Sequence, residues 1–213
     1  MTRKNNRGSR LKAQGSRQLP RALSPQPSAA LRLSAGRRRV ALGADHGGFT
    51  LKAKLLTMLQ SKGLEVADLG THSPTPCDYP QIGYKVARAV AERRFDRGIL
   101  LCKSGVGIAI VANKVPGIRA AVCGDLFDAE RSRSHNDVNV LVLGAEKLRD
   151  AQVKRIVEVW LSTPFDSGGR HERRLRQIAA IERAIFRTRH PRKEALGSRL
   201  EATAFAYSLQ PTA

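Results

Sequence analysis

The sequence predicts an α/β fold: a parallel β-sheet of five strands covered by helices on both faces. Three observations carry that reading. Short apolar segments of strand length recur between residues 40 and 144. Each is followed by a segment whose apolar residues have helical spacing. The intervals between the segments suit right-handed crossovers between parallel neighbours.

Taken in order, VALGA (40–44) is a short buried strand ending in the turn Asp45-His46-Gly47-Gly48. FTLKAKLLTMLQSKG places Leu51, Leu55, Met58 and Leu59 on one helical face and stops at Gly63. LEVADLG is the second strand, and THSPTPCDYP is a loop punctuated by three prolines. QIGYKVARAVAERRF is a helix with Ile82, Val86 and Val90 on one side. RGILLC is the third strand, leading into a glycine loop and the helical IAIVANK. GIRAAVC is the fourth strand, DLFDAERSRSHN a helix, and VNVLVLG the fifth strand. DAQVKRIVEVWLS and GGRHERRLRQIAAIERAIF complete the pattern as helices, with Trp160 on the apolar face of the first. In such a sheet, ligands bind beyond the carboxyl ends of the strands, where the strand order switches. That directs attention to Asp45-His46, to Cys102–Gly107 and to the segment after strand 4.

A chain of 213 residues is one domain, or one domain with tails. The net charge of +20 suggests a nucleic-acid binder, but its distribution does not. Residues 1–39 carry eleven Lys or Arg and no acid, and residues 170–193 carry nine basic and two acidic groups. Residues 40–169 hold seventeen basic and fourteen acidic residues, so the middle is only +3. The expected organisation is a basic, disordered extension over 1–38, a folded domain over 39–187 and a tail over 188–213. The extension also fits a basic arm, a translated stretch upstream of the true start, or a transit peptide. It has no continuous apolar core of the kind a secretory signal needs, and no apolar run approaches the length of a membrane span. Cys77, Cys102 and Cys123 lack metal-type spacing and are too few for a disulfide framework, which points to a reducing, cytoplasmic setting.

The stretch LLCKSGVGIAIVANK (100–114) raises the functional question, because a strand ends in Cys102 just before Gly-Val-Gly. The phosphate-loop pattern G-x-x-x-x-G-K-[ST] is absent. The dinucleotide pattern fails at Ile110, and a cysteine-phosphatase loop fails at Ile108. Ser104, Gly105, Val106 and Gly107 open a helix, whose free N–H groups suit an anion, a thiolate included. Cys102 is then a nucleophile, a base acting on carbon, or a small buried hydrophobe, and sequence physics alone leaves these open. Cys77 and Cys123 read as structural. His46 and His135 both fall in turns assigned to the ligand edge, where either could move protons near neutral pH. Neither has zinc-site spacing, so no metal is expected. Arg170 and Arg174 are four apart on one helix face, suited to a phosphate monoester or to a solvated basic face.

Together GADHGGFTLK, DYP, CKSGVGIAIVANKVPGIRAAVC, SRSHNDVNVLVLG and GGRHERR resemble the type B ribose-5-phosphate isomerase family, which includes the galactose-6-phosphate isomerase subunits. The resemblance runs from Val40 to Arg183. It implies a Rossmann-like three-layer sandwich with a five-stranded parallel sheet and a C-terminal helix. It also implies a homodimer with active sites at the subunit interface. The implied activity is aldose–ketose isomerisation of a sugar phosphate, without metal or other cofactor.

Carried over by position, Cys102 is the base that moves a proton between C1 and C2. Ser104 stands beside the reacting oxygens, and the loop through Gly105, Val106 and Gly107 stabilises the enediolate. His135 assists furanose opening. Asp45, His46 and Asn136 contact sugar hydroxyls or phosphate, Tyr79 lines the site, and Arg170 and Arg174 hold the phosphate. One branch of the family uses Glu as base at the position of Ile108, a residue that cannot do that work. The chain departs from the pattern at Lys103, commonly glycine, and at Glu146, an arginine in several members. If position 103 needs positive φ, lysine is strained there. Ribose 5-phosphate is the expected substrate, with tetrose, allose and galactose phosphates as alternatives. A non-catalytic relative whose basic ends bind a partner or nucleic acid is a different class; the retained Cys102, His135, Arg170 and Arg174 argue against it. A cysteine hydrolase ranks last, because no orienting Asp or Asn is identifiable.

Overall fold

The protein is described from a computed structural model covering residues 39–189, without the side chains of residues 186, 187 and 189. The expected extension over 1–38 lies outside the described residues, as does the expected tail over 188–213 except residues 188 and 189, which continue the last helix.

The elements follow in the order β1 (Arg39–Ala44), α1 (Phe49–Ser61), β2 (Glu65–Asp68), α2 (Tyr79–Ala91), β3 (Arg97–Cys102) and α3 (Val106–Ala112). Then come β4 (Ala120–Val122), α4 (Leu126–Asn136), β5 (Val140–Gly144), α5 (Asp150–Ser162) and α6 (Gly169–Arg189). The strands form one parallel sheet in the order β2-β1-β3-β5-β4. The order reverses between β1 and β3, so the switch point falls there.

The period-2 alternation of the strands feeds two cores. Val40, Leu42, Ile99, Leu101, Leu141 and Leu143 face α1 and α5, around Leu55, Leu59, Ile156 and Trp160. Ala41, Leu100, Cys102, Val140 and Val142 face the other way, against Val86 and Val90 of α2 and Ile108 of α3. Each large apolar side chain buried this way contributes about 1.5–3 kcal/mol. Ile108 is thus a core residue.

Several boundaries differ from the sequence expectation. Helix α2 begins at Tyr79, because Pro80 sits in the first turn, where its missing N–H costs nothing. Strand β4 spans only three residues of the seven expected. Just before it, side chains replace the ladder: Asn139 Oδ1 accepts from Arg119 N–H (2.8 Å), and Asn113 Oδ1 accepts from Ala120 N–H (2.8 Å). Helix α4 is capped at its start by Asp125, which accepts from Asp128 N–H at 2.8 Å.

Candidate active site

At the carboxyl edge, β1 and β3 deliver their last residues side by side. Asp45 N–H donates to Leu101 C=O (3.2 Å). Asp45 is buried, and its Oδ1 accepts from Gly48 N–H at 3.1 Å, closing a single 3₁₀ turn over His46–Gly48. That turn presents His46, whose Nδ1 lies 3.2 Å from both the N–H and the carbonyl of Cys77.

Cys102 ends β3 at 5% exposure, within the face that packs on α2 and α3. Gly105 N–H donates to its Sγ at 3.0 Å. That donor is aimed by the backbone of Gly105, which has φ +83° and caps α3 in the left-handed region. Val106 N–H donates to Ser104 Oγ at 3.3 Å, which leaves the Ser104 hydroxyl proton free to donate elsewhere. Tyr79 lies directly over Gly107, where an added Cβ would come within 2.6 Å of its ring. Lys103 does not have positive φ, so lysine is unstrained there. Its ammonium faces Glu146 at 3.9 Å, so the two departures from the family pattern meet each other. A cavity of about 340 Å³ opens beside this cluster, against Thr71, Cys77, Asp78, Gln81 and Lys85. Cys102 does not line it.

The other expected residues are elsewhere. In the β3–β5 register Cys102 faces Gly144 and Gly98 faces Val140. Helix α4 returns against the strand direction, so His135 and Asn136 end up at the amino edge of the sheet. Four residues of strand separate the two edges, about 13 Å. The expectation that His135 shares the ligand edge with His46 is therefore corrected, because a crossover helix ends opposite to where its strand ends. Arg170, at the start of α6, belongs to this second group, and Arg174 follows one turn later on the same helix, exposed. Asp166 N–H, just before α6, donates to Ser134 C=O at 2.9 Å.

The amino-edge group is built around two stacked imidazoles. His135 and His171 have ring centroids 4.0 Å apart at an interplanar angle of 13°. His171 is 7% exposed, and Arg170 Nε approaches its Nε2 at 3.4 Å. Arg131 Nη1 donates to His135 Nε2 at 3.0 Å. Burial, then His171, Arg131 and Arg170, hold the His135 pKa below the ordinary imidazole value, with Asp166 opposing.

Beneath them Arg133, nearly fully buried, donates to Asp137 Oδ1 (2.6 Å) and to Val138 C=O (2.8 Å). Arg119 bonds the other carboxylate oxygen of Asp137 (2.7 Å). These two arginines fix Asp137 at φ +42°, the left-handed residue that ends α4 just beyond His135.

Sequence reasoning passed over His171, Arg131, Arg133 and Asp137. The signal was present: Arg131 lies one turn before His135, and His171 follows Arg170 directly. Cys123 contrasts with Cys102. It is 1% exposed, and burial pushes its thiol up to about 11, with Asp128 and Asp125 adding to the rise and a hydrogen bond to Ser132 opposing. Among the described residues, no three His, Cys, Asp or Glu side chains are grouped to hold a metal ion, and no helix is long and apolar enough to cross a membrane.

A parallel sheet with a thiol at its switch point, beside a glycine loop whose Gly105 N–H is aimed at the sulfur, is the frame of an α/β protein with a ligand site at the carboxyl edge. A family model described as Ribose/Galactose Isomerase matches residues 40–178. Ribose-5-phosphate isomerase B of Escherichia coli is 46% identical over 145 residues, covering 68% of this chain and 97% of that protein. A D-erythrulose-4-phosphate isomerase of Pectobacterium atrosepticum is 42% identical over 132 residues, covering 61% and 86%. The solved ribose-5-phosphate isomerase B of Clostridium thermocellum superposes with a TM-score of 0.68 at 46% identity, covering 69% of this chain and 99% of that one. The chain belongs to the ribose/galactose isomerase family, and it is an isomerase.

Proposed function

We propose that the protein interconverts ribose 5-phosphate and ribulose 5-phosphate, with Cys102 as the base and without a metal ion. The observation that carries this is the 3.0 Å hydrogen bond from Gly105 N–H to Cys102 Sγ at the switch point. The thiolate takes the C2 proton of the open-chain aldose, and the electron pair forms C1=C2 and passes charge to O1. The Ser104 hydroxyl donates to the oxygen that carries the charge. The proton returns from sulfur to C1 while the O2 proton passes to O1, so C2=O2 forms and O1 ends as a hydroxyl. Asp45, His46, Tyr79 and the loop Gly105–Gly107 surround the sugar. His135 opens the furanose, Asn136 contacts the sugar, and Arg170 and Arg174 hold the phosphate.

The two groups lie on opposite edges of one chain, so a second copy completes the site: the amino edge of one subunit meets the carboxyl edge of the other. The exposed Ile178, Ile181 and Ile185, a helical stripe on α6, give a pair of chains apolar surface to bury. The enzyme works as a homodimer in the cytoplasm, consistent with three unpaired cysteines. A four-carbon sugar phosphate is the second reading, favoured by the relative named for D-erythrulose 4-phosphate.

Turnover of ribose 5-phosphate is measured with EDTA present, beside a Cys102→Ala variant. Ketose formation that survives chelation and is lost in the variant supports the reading; full activity in the variant sinks it. For the shared site, Cys102→Ala and His135→Ala chains are unfolded together and refolded as a mixture. A mixed dimer holds one intact site and regains activity that neither variant has alone. Failure to regain any returns both residues to one chain's site.

A further inference from the structure

We infer that Arg131 and His171 are positioning residues that hold His135 as a neutral imidazole with its proton on Nδ1 and its lone pair on Nε2. The inference rests on the reading above for its catalytic meaning, but not for its geometry. A guanidinium has five donors and no acceptor, so the 3.0 Å contact from Arg131 Nη1 requires an unprotonated Nε2 on His135. The remaining proton of a neutral ring is then on Nδ1. His171 stacks its ring on the same imidazole at 4.0 Å and, being buried, cannot move aside. Helix α4 is locked one residue beyond Asn136 by Arg133 and Arg119 on Asp137, so the ring is fixed at its base as well.

The charged groups that face His135 are Arg131 on its own helix, Arg170 and His171 on α6, and Asp166 in the loop before α6. Two permanent cations against one carboxylate disfavour imidazolium, in agreement with the direction of its titration. Arg131 itself is exposed at the surface and stacks its guanidinium over Phe127, with Cζ 5.3 Å from the ring centroid. It is therefore able to yield Nε2 to a hydroxyl of an incoming sugar.

The tautomer matters for ring opening. The anomeric hydroxyl and the ring oxygen are both bonded to C1, so one nitrogen can serve both. Nε2 takes the proton from the anomeric oxygen as C1=O1 forms and the C1–O4 pair leaves onto O4. The same nitrogen returns that proton to O4, and the imidazole ends as it began. A ring protonated on Nε2 at rest cannot begin this cycle, and a misassigned tautomer is a known way to lose activity without losing geometry.

The test is nitrogen-15 NMR of imidazole-labelled protein without substrate, together with kcat/KM for ribose 5-phosphate against pH. The full chain is compared with Arg131→Leu, Arg131→Lys, His171→Phe and His135→Ala. In the unmodified protein His135 shows a pyridine-type Nε2 and a protonated Nδ1. Arg131→Leu, at an exposed position, shifts signal toward the Nε2-protonated form and lowers kcat/KM roughly tenfold, a fraction of what acid–base catalysis contributes. Arg131→Lys restores most of both. His171→Phe keeps the stacked ring and moves the acid limb of the profile. An Nε2-protonated His135 in the unmodified protein, or spectra of that ring unchanged in both Arg131→Leu and His171→Phe, overturns the inference. If the spectra behave as expected but His135→Ala keeps full kcat/KM, the tautomer assignment stands and the ring-opening role fails.

Discussion

Replacing Gly105 by alanine tests the link between backbone geometry and catalysis. Gly105 has φ +83°, a region that costs an L-residue with a Cβ about 1–2 kcal/mol. The new Cβ would also stand 3.1 Å from Val122 Cγ1 and 3.4 Å from Gly144 N, so the loop must give by a few tenths of an ångström. The backbone N–H now 3.0 Å from Cys102 Sγ would turn away. A hydrogen bond to a charged acceptor contributes about 1.5–3 kcal/mol. If it acts on the sulfur during proton transfer, its loss lowers kcat by about 10- to 100-fold. Gly117 is the control. It has φ +80° with nothing near the added Cβ, far from the thiol, so Gly117→Ala should bring a similar backbone cost with kcat intact. Denaturant unfolding gives the stability term, and kcat per folded protein, from progress curves with ribose 5-phosphate, gives the catalytic one. Equal kcat in Gly105→Ala and Gly117→Ala would refute the claim that the left-handed cap aims a working donor.

The pH profile is a second check. The folded pKa of His135 lies below 6.5 and the neutral ring is the working form, so the loss of kcat/KM that its protonation adds to that from the Cys102 thiolate should set in only below pH 6.5. Protonation also works against the fold, so whatever stability the neutral ring contributes is lost over the same acid range. Lys52→Met removes a buried ammonium that pairs with the half-buried Asp68 and also donates to Thr71 C=O at 2.7 Å. A loss of about 1–3 kcal/mol in denaturant unfolding is expected, because Thr71 C=O and one Asp68 oxygen lose their donor while Gly70 N–H still bonds the other. Cys123, with its thiol near 11, should resist iodoacetamide in the folded protein at pH 8, and Cys123→Ala should keep full turnover. Modification of Cys123 in the native state by mass spectrometry would contradict its burial.

The layout of the sheet was legible because each strand is a continuous apolar run with glycine or proline punctuation. The five strands, their parallel sense and the position of Cys102 at a strand end all followed from that pattern. Ends of elements were less legible. Tyr79 and Pro80 read as loop because proline inside a run signals a break, whereas the first helical turn accepts it. The carboxyl-edge residues Asp45, His46, Cys102 and Ser104 were found because a strand-to-helix turn keeps its residues at the edge that the rule names. His135 was assigned to that edge too, since a residue that ends a helix and one that ends a strand look alike in a string of letters. His171 was missed for a related reason. The His171 stack lies between α4 and α6, and nothing local in either segment announces which face meets the other; Arg131 is a within-helix partner of His135, one turn before it, and its spacing alone could have found it.

Lys103 and Glu146 close the tips of β3 and β5 with an exposed ion pair of 3.9 Å. Such a pair adds at most about 1 kcal/mol to stability, so its significance lies in the field at the entrance. Altering either residue alone leaves one unbalanced charge beside the thiol loop, which an anionic ligand must pass. Altering both together leaves the field nearly as it was. The two positions therefore form an epistatic unit. A lineage can exchange them as a couple at little cost, whereas the single steps between shift ligand capture in opposite directions and not folding: loss of Lys103 repels an anion, and loss of Glu146 attracts it.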